Sequence, residues 1–338
     1  MTNPQALRFG IRGAANIARS FARGVAPSER VRIVALASRD ADKGRAFAAE
    51  IGVERVHASY EALLQDPEVD AIYLPLPNSL HAEWVIRAAQ AGKHILCEKP
   101  LAVTAAESRA MFAAANEHGV HLAEAYPYRA QPQTLKLRAL LDSGAIGRVQ
   151  LIHASFGCIF SDPANIRLDP ALGGGALLDG GSYAASFVRM VAGELPCRVM
   201  ASARWTDSGV SRTVVATLEF ASGLLAQISC SFATAYHRHA LISGAAGILE
   251  TTYLNHPPEG GPAVIHLRRG ILNTTVRESI ATPGGNGFLA EAEAFERLVT
   301  LGAGHWNGST AQESIDTVAI LEAIQLSAKT DAWVRLEA

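Results

Sequence analysis

Cysteine is scarce in this chain of 338 residues: Cys97, Cys158, Cys197 and Cys230 stand far apart, and none forms a C-x-x-C pair. That spacing supports neither a zinc ribbon nor a dithiol redox motif, and leaves buried, reduced thiols as the expectation. Charge is sparse too, at 18% of residues with a formal net charge of -2. Nothing therefore calls for a nucleic-acid or acidic membrane partner. No run approaches the ~20 apolar residues of a membrane helix. The opening MTNPQALRFG has no apolar core of signal-peptide length. A soluble, cytoplasmic protein is the expectation. Internal repeats and low-complexity linkers are missing. His237 and His239 alternate as on a strand face with no clustered acid or thiolate, so no metal is expected.

What is plentiful is apolar side chain, 49% of residues, enough for the cores of two domains. The most informative stretch runs from Asp70 to Leu101. Ala71–Leu74 is a short apolar strand, ended by Pro75-Leu76-Pro77, because proline removes ladder donors. A helix follows, with Ser79 as its expected N-cap and Gly92 suited to the left-handed C-terminal position. A second apolar run, His94–Cys97, then delivers Glu98-Lys99-Pro100. In a parallel sheet both loops would lie at the carboxyl ends of strands, where open α/β sheets bind ligands.

The flanking chain repeats the alternation. Leu7–Ile11 reads as a strand running into Gly13-Ala14-Ala15-Asn16-Ile17-Ala18 and a helix. This is a degenerate dinucleotide fingerprint, with Ala15 and Ala18 in the second and third glycine places. Alanine still permits backbone approach to a pyrophosphate, and free amides at the helix start would face the phosphates. A second strand, Val31–Ala37, ends in Ser38-Arg39-Asp40. A hydroxyl and a guanidinium suit a ribose 2′-phosphate, with Lys43 adding charge, so NADP is favoured while NAD stays possible. The alternative makes Arg39 a surface residue and Asp40 the cap of the helix over 41–50. Further strands are expected at 53–59 and 120–123, and helices at 60–64 and 104–118. The pattern changes after Glu124. A helix over 132–141, a strand over 147–158 and a long loop over 159–178 precede a helix from about Asp179 to Ala192. Seven strands then follow between 197 and 279, and helices over 288–302 and 310–328 close the chain. The fold expected is α/β, a Rossmann doubly wound parallel sheet over 1–125 followed by an α+β domain over 126–338 with a large, open, mostly antiparallel sheet.

GAANIA, PLPNSLH, AGKHILCEKPLA, Tyr128-Arg129, NIRL and GGGALLDGGSY occur in that order along the chain. On these motifs the sequence resembles the glucose–fructose oxidoreductase/inositol dehydrogenase/rhizopine catabolism (Gfo/Idh/MocA) family, nearest the branch with NADP-linked xylose dehydrogenase, dimeric dihydrodiol dehydrogenase and anhydrofructose reductase. The resemblance implies hydride transfer between a nicotinamide and a sugar-like carbon, with dimers, or dimers of dimers, formed through the second sheet. It assigns catalytic roles to Lys99, Tyr183 and Asp179. Two positions depart from the branch pattern: Gln131 stands where histidine is common, and Pro127 where methionine is usual. Both bear on the substrate pocket more than on the chemistry.

Chemically, Tyr183 would carry the proton and Lys99 would steady the transient alkoxide, with Asp179, on the same helical face as Tyr183, orienting Lys99 or a substrate hydroxyl. Plainer roles stand beside these: an ion pair with Glu98 for Lys99, a core position for Tyr183, a helix N-cap for Asp179. Cofactor contacts are expected from Gly13, Ala14, Ala15, Asn16, Ile17, Ser38, Arg39, Lys43, Leu76, Asn78, His81, Glu98, Lys99 and Arg167. Substrate contacts are expected from Tyr128, Asn165 and Phe160. His81 reads equally as a helix-surface residue, and Arg167 as a partner of Asp169. The function expected is an NAD(P)-dependent oxidoreductase of a sugar, polyol or vicinal diol. The alternatives are a non-catalytic NADP-binding regulator and an NAD-dependent, redox-neutral glycosidase on the same fold.

Overall fold

The computed structural model describes residues 6–13, 15–38, 40–160, 162, 164–256, 261–270 and 274–337. Ala14 and Arg39 lie outside the described residues. In chain order the first elements are β1 (Leu7–Arg12), α1 (Asn16–Val25), β2 (Val31–Ala37), α2 (Ala41–Ile51), β3 (Arg55–His57), α3 (Tyr60–Leu64) and β4 (Ala71–Leu74). Next come α4 (His81–Gln90), β5 (His94–Glu98), α5 (Ala105–Glu117), β6 (Leu122–Ala125), α6 (Pro127–Ala130) and α7 (Pro132–Asp142). The later elements are β7 (Val149–Ile159), α8 (Ser182–Ala192), β8 (Arg198–Trp205), β9 (Ser211–Glu219), β10 (Leu225–Ser231) and β11 (Ala233–Gly244). Then follow β12 (Gly247–Thr251), β13 (Ala263–Arg269), β14 (Val276–Thr282), α9 (Gly287–Leu301), α10 (Ala311–Thr330) and β15 (Val334–Arg335).

β1–β6 form one six-stranded sheet in the order β3-β2-β1-β4-β5-β6 with every pairing parallel. The strand order reverses between β1 and β4, the switch point at which such sheets bind dinucleotides. The core of this unit is aromatic. Phe21 of α1 stacks on Tyr73 of β4 at 3.8 Å, and Phe9 of β1 meets Phe21 and Phe295 edgewise or tilted. Phe288 and Phe295 belong to α9, far away in sequence. The first compact unit accordingly takes in Gly285–Ala311, and the second holds Pro132–Gly284 and Gln312–Ala338, so the division is not a single cut after residue 125. Sequence periodicity shows that the helix over 288–302 has an apolar face, but not which sheet that face covers.

The second sheet has nine strands in the order β14-β13-β12-β11-β7-β10-β9-β8-β15, antiparallel except for β7 with β10. Alternation is plain on β10, where Ala226, Ile228 and Cys230 are buried and Leu225 is exposed. A shallow depression on the more exposed face is lined by His153, Ser155, Ser202, Thr217, Gln227 and His239.

Four local expectations shift. Ser79 does not cap α4: residues 78–80 make a separate 3₁₀ turn, and no side chain caps the helix that His81 opens. β6 starts two residues late, because the Val120 amide closes onto the Ala115 carbonyl at 2.9 Å at the end of α5. The helix expected from Asp179 is preceded by a π-turn over Leu177–Gly181. The two-residue β15 pairs with β8 and has no periodic signal to reveal it. All four cysteines are free. Burial holds the Cys97 thiol well above its ordinary pKa and pushes Cys230 up to about 12, which suits inert core thiols. No described helix is long and apolar enough to cross a membrane, and no metal-binding cluster occurs among the described residues.

Candidate active site

Because every strand of the first sheet runs the same way, the turns after β1, β2, β4 and β5 share one edge. Gly13 leaves β1 at φ 98°, a conformation that favours glycine. A Cβ at Gly13 would come within ordinary contact of Tyr60 Oη and Leu76 Cδ2, at 3.7 and 3.9 Å. The helix that follows, α1, opens with Asn16 and Ile17; its N-cap residue, Ala15, makes no side-chain cap, and there is no acid in its first turn. A helix start that the chain neither caps nor neutralises suits the phosphates of a dinucleotide. The Gly13 amide itself is engaged, donating to the Ala37 carbonyl at 2.8 Å.

At the end of β2, Ser38 is buried, and its hydroxyl donates to the Asp40 carbonyl at 2.8 Å. Asp40 caps α2 by accepting from the Lys43 amide at 3.0 Å, and its carboxylate pairs with Lys43 Nζ at 3.3 Å. Those backbone bonds hold the Asp40 carboxyl below its usual range. Lys43 is exposed on its side chain, so it can turn toward a phosphate at small cost.

The turns after β4 and β5 are tied together by one histidine. His81 is fully buried, with Nε2 2.8 Å from the Leu76 carbonyl and Nδ1 3.0 Å from that of Pro100. It is thus not a surface residue; it lies between the carbonyls of the two turns, its ring N–H donating to one of them. Burial keeps its imidazole pKa below the ordinary value. Asn78 begins the 3₁₀ turn between them. Glu98 accepts from Tyr73 Oη at 2.6 Å and from the Lys99 amide at 3.3 Å. Near Glu98, Glu291 of α9 is fully buried, and burial together with the Glu98 and Glu124 carboxylates holds its pKa well above normal. Tyr128 is completely buried on α6, edge-on to Tyr126 at 5.9 Å, and Gln131 donates to the Gly285 carbonyl at 3.1 Å.

Sequence reasoning passed over Arg12. Its guanidinium lies 3.2 Å from the Trp84 ring centroid and 3.9 Å from that of Tyr60, with all three nitrogens buried and without a hydrogen-bond acceptor. Burial lowers its pKa to about 9. The available signal was an arginine directly before the glycine turn, at the end of a strand whose other cation, Arg8, pairs with Glu68 and Asp70.

In the second unit, the glycine-rich motif is a packing device. A Cβ on Gly180 would collide with the Phe156 ring, so only glycine lets the π-turn lie against β7. The turn carries Asp179, which accepts from Arg167 Nε at 3.0 Å. Arg167 therefore pairs with Asp179 rather than with Asp169, whose carboxylate caps the Ala171 amide at 2.8 Å. The Asp179 charge raises the Arg167 pKa. Arg167 also sits over the Phe160 ring at 4.9 Å, and Asn165 accepts from the Arg167 amide at 3.0 Å, so three residues singled out separately form one cluster. Tyr183, in the first turn of α8, is 5% exposed and stacks on Phe156 at 5.6 Å.

A switch-point sheet with an uncapped glycine turn, joined to an α+β unit with a nine-stranded sheet, defines a nicotinamide-dinucleotide oxidoreductase class. Family models agree: residues 7–126 match the oxidoreductase family with NAD-binding Rossmann fold, and 134–250 match the GFO/IDH/MocA C-terminal domain. The chain belongs to the Gfo/Idh/MocA oxidoreductase family. It is 36% identical over 335 residues to D-xylose 1-dehydrogenase (NADP(+)) 2 of Haloferax volcanii, covering 98% of this chain and all of that protein. It is 37% identical over 249 residues to the trans-1,2-dihydrobenzene-1,2-diol dehydrogenase of Danio rerio, covering 72% of this chain and 74% of that one. Among solved structures, a 3-ketoreductase from Actinomadura kijaniata in complex with NADP and TDP-benzene superposes with a TM-score of 0.86 at 31% identity, covering 95% of this chain and 98% of that one.

Proposed function

We propose that this protein is an NADP-dependent dehydrogenase or reductase acting on a secondary alcohol or carbonyl of a sugar, polyol or vicinal diol. The observation that carries the reading is the shared edge of the first sheet. The uncapped start of α1 and the Glu98-Lys99 turn both leave carboxyl ends of parallel strands, and His81 holds the Lys99 turn in place. Gly13, Ala15, Asn16 and Ile17 would take the pyrophosphate, and Ser38, Arg39 and Lys43 the 2′-phosphate. The nicotinamide supplies the hydride acceptor or donor. Lys99 steadies negative charge on the substrate oxygen, Tyr183 carries its proton, and Asp179 with Arg167 orients the sugar.

Relatives named as D-xylose and dihydrodiol dehydrogenases support the substrate class, and their names favour an enzyme over a regulator. No feature of the site favours a redox-neutral glycosidase. Val215 and Leu225 are exposed on strands of the second sheet, and this reading assigns the exposed face of that sheet to a second copy of the chain. Fluorescence titration with NADPH and NADH, followed by a panel of aldoses and vicinal diols read at the nicotinamide absorbance band, tests the proposal. Tighter NADPH binding with turnover of an aldose or diol is expected. Binding without turnover on any member would return the weight to a regulator.

A further inference from the structure

Behind Tyr183 lies a polar arrangement that the reaction as described does not use. Arg238 of β11 is 9% exposed, and its guanidinium carbon sits 3.9 Å from the Tyr183 ring centroid and 4.7 Å from that of Phe156. Its Nη1 donates to Asn255 Oδ1 at 2.9 Å, and Asn255 Nδ2 donates to Tyr183 Oη at 3.0 Å. The direction of this chain of bonds is forced. Arginine has only donors, so the amide oxygen of Asn255 must face it. The amide nitrogen must then face Tyr183, and nitrogen of an amide only donates. The phenolic oxygen is therefore an acceptor toward Asn255, and its own proton is directed to some other partner. The cation over the ring face adds an attraction that grows as negative charge develops on the phenol.

We propose that Arg238 and Asn255 are positioning residues for Tyr183, fixing the polarity of its hydroxyl so that its proton is presented to the reacting oxygen of the substrate. The inference rests on Tyr183 as proton carrier and adds what sets its direction. In reduction, the substrate carbonyl carbon gains a hydride from the reduced nicotinamide, and its oxygen gains the Tyr183 proton. The phenolate left behind keeps the Asn255 N–H bond. Oxidation runs the same steps backwards. Neither Arg238 nor Asn255 needs to touch substrate.

Asn255→Asp is the discriminating variant. It is nearly isosteric and keeps an acceptor for Arg238, but presents a carboxylate to Tyr183, so the phenol must donate to it. The assay is oxidation of D-xylose, protiated or deuterated at C1, with NADP+. NADPH titration and the thermal midpoint confirm folding. The expected result is a kcat lowered ~100-fold, the scale of a displaced general acid–base group, with KM and NADPH affinity within ~3-fold and a larger primary isotope effect. Arg238→Lys, which still donates to Asn255, should retain most of the activity that Arg238→Met loses. The tyrosine Fermi doublet in ultraviolet resonance Raman gives a second readout that needs no substrate. The Tyr183 component, assigned by difference from Tyr183→Phe, should pass from acceptor-like to donor-like in Asn255→Asp.

An unchanged kcat in Asn255→Asp, with Tyr183→Phe inactive, overturns the inference and leaves the function standing. Full activity in Tyr183→Phe removes Tyr183 as the proton carrier and overturns the inference, while the dehydrogenase reading stands. If the wild-type protein does not turn over D-xylose, the doublet decides: a change of polarity supports the arrangement, and an unchanged doublet overturns it.

Discussion

Arg167 Nε donates to Asp179 Oδ2 across 3.0 Å, joining the long loop after β7 to the π-turn before α8. The carboxylate is 16% exposed and the guanidinium 41%, so the pair is partly open to solvent, and its net contribution to stability is on the order of 1 kcal/mol or less. Its significance is orientation. Arg167 helps fix the direction of the Asp179 carboxylate, and Arg167 keeps its place over Phe160. Asp179→Asn retains the volume and loses the charge. Turnover should fall by about 10–100-fold, in the range set by positioning groups, with NADPH affinity within ~3-fold of wild type. Parallel titration and steady-state kinetics check this; wild-type turnover would remove Asp179 from the reaction.

Lys99 is the second target. Its backbone amide is held by Glu98, and the turn is clamped through His81 to the Leu76 and Pro100 carbonyls. The turn therefore keeps its shape without the lysine side chain. Lys99→Ala should leave NADPH binding largely intact and lower kcat by about 10³-fold, as expected when a group stabilising the developing charge is removed. Retained turnover would place the oxyanion partner elsewhere.

Cofactor choice gives a sharper test, because it is a ratio. Ser38 is held by the Asp40 backbone and Asp40 is committed to capping α2, which leaves Lys43 and the sequence neighbour Arg39 as the cations for a 2′-phosphate. Arg39→Asp should weaken NADPH by about 10–100-fold, the scale of a charge-assisted phosphate contact, and change NADH far less. An unchanged ratio of dissociation constants in a competition titration would overturn the 2′-phosphate assignment.

Much of this architecture was legible in the sequence for a physical reason. Strands buried on both faces, such as Ala71–Leu74, read as unbroken apolar runs, and glycine at the left-handed positions after α2, α4 and α5 marks their ends. The turns bearing Gly13, Lys99 and Tyr183 were legible because each motif is local. What stayed hidden depends on partners distant in the chain. Ser79 has the chemistry of a cap, but His81 ties its turn to Leu76 and Pro100 and moves the start of α4. Arg167 has Asp169 two residues away in sequence but meets Asp179 through the fold. Asn255 lies 72 residues beyond Tyr183, and only the pairing of β11 with β7 and with β12 brings it there.

The last prediction concerns pH. His94 at the start of β5 accepts the His121 amide on Nδ1 at 3.0 Å, which requires that nitrogen to be unprotonated. Burial, and then the charge of the adjoining His121 ring, stacked at 5.5 Å, lower the His94 pKa in the folded chain. In the unfolded chain an imidazole titrates near ~6.5. Above that value both states are neutral, and the contribution of His94 to stability is complete. As pH falls below ~6.5 toward the lower folded value, the unfolded chain binds more protons than the folded one, so stability is lost. The thermal midpoint should therefore decline between about pH 6.5 and pH 5. In His94→Gln, whose amide oxygen can accept the His121 N–H without titrating, the decline should be shallower. Equal slopes in the two proteins, measured by scanning calorimetry across that range, would show that His94 does not carry the effect.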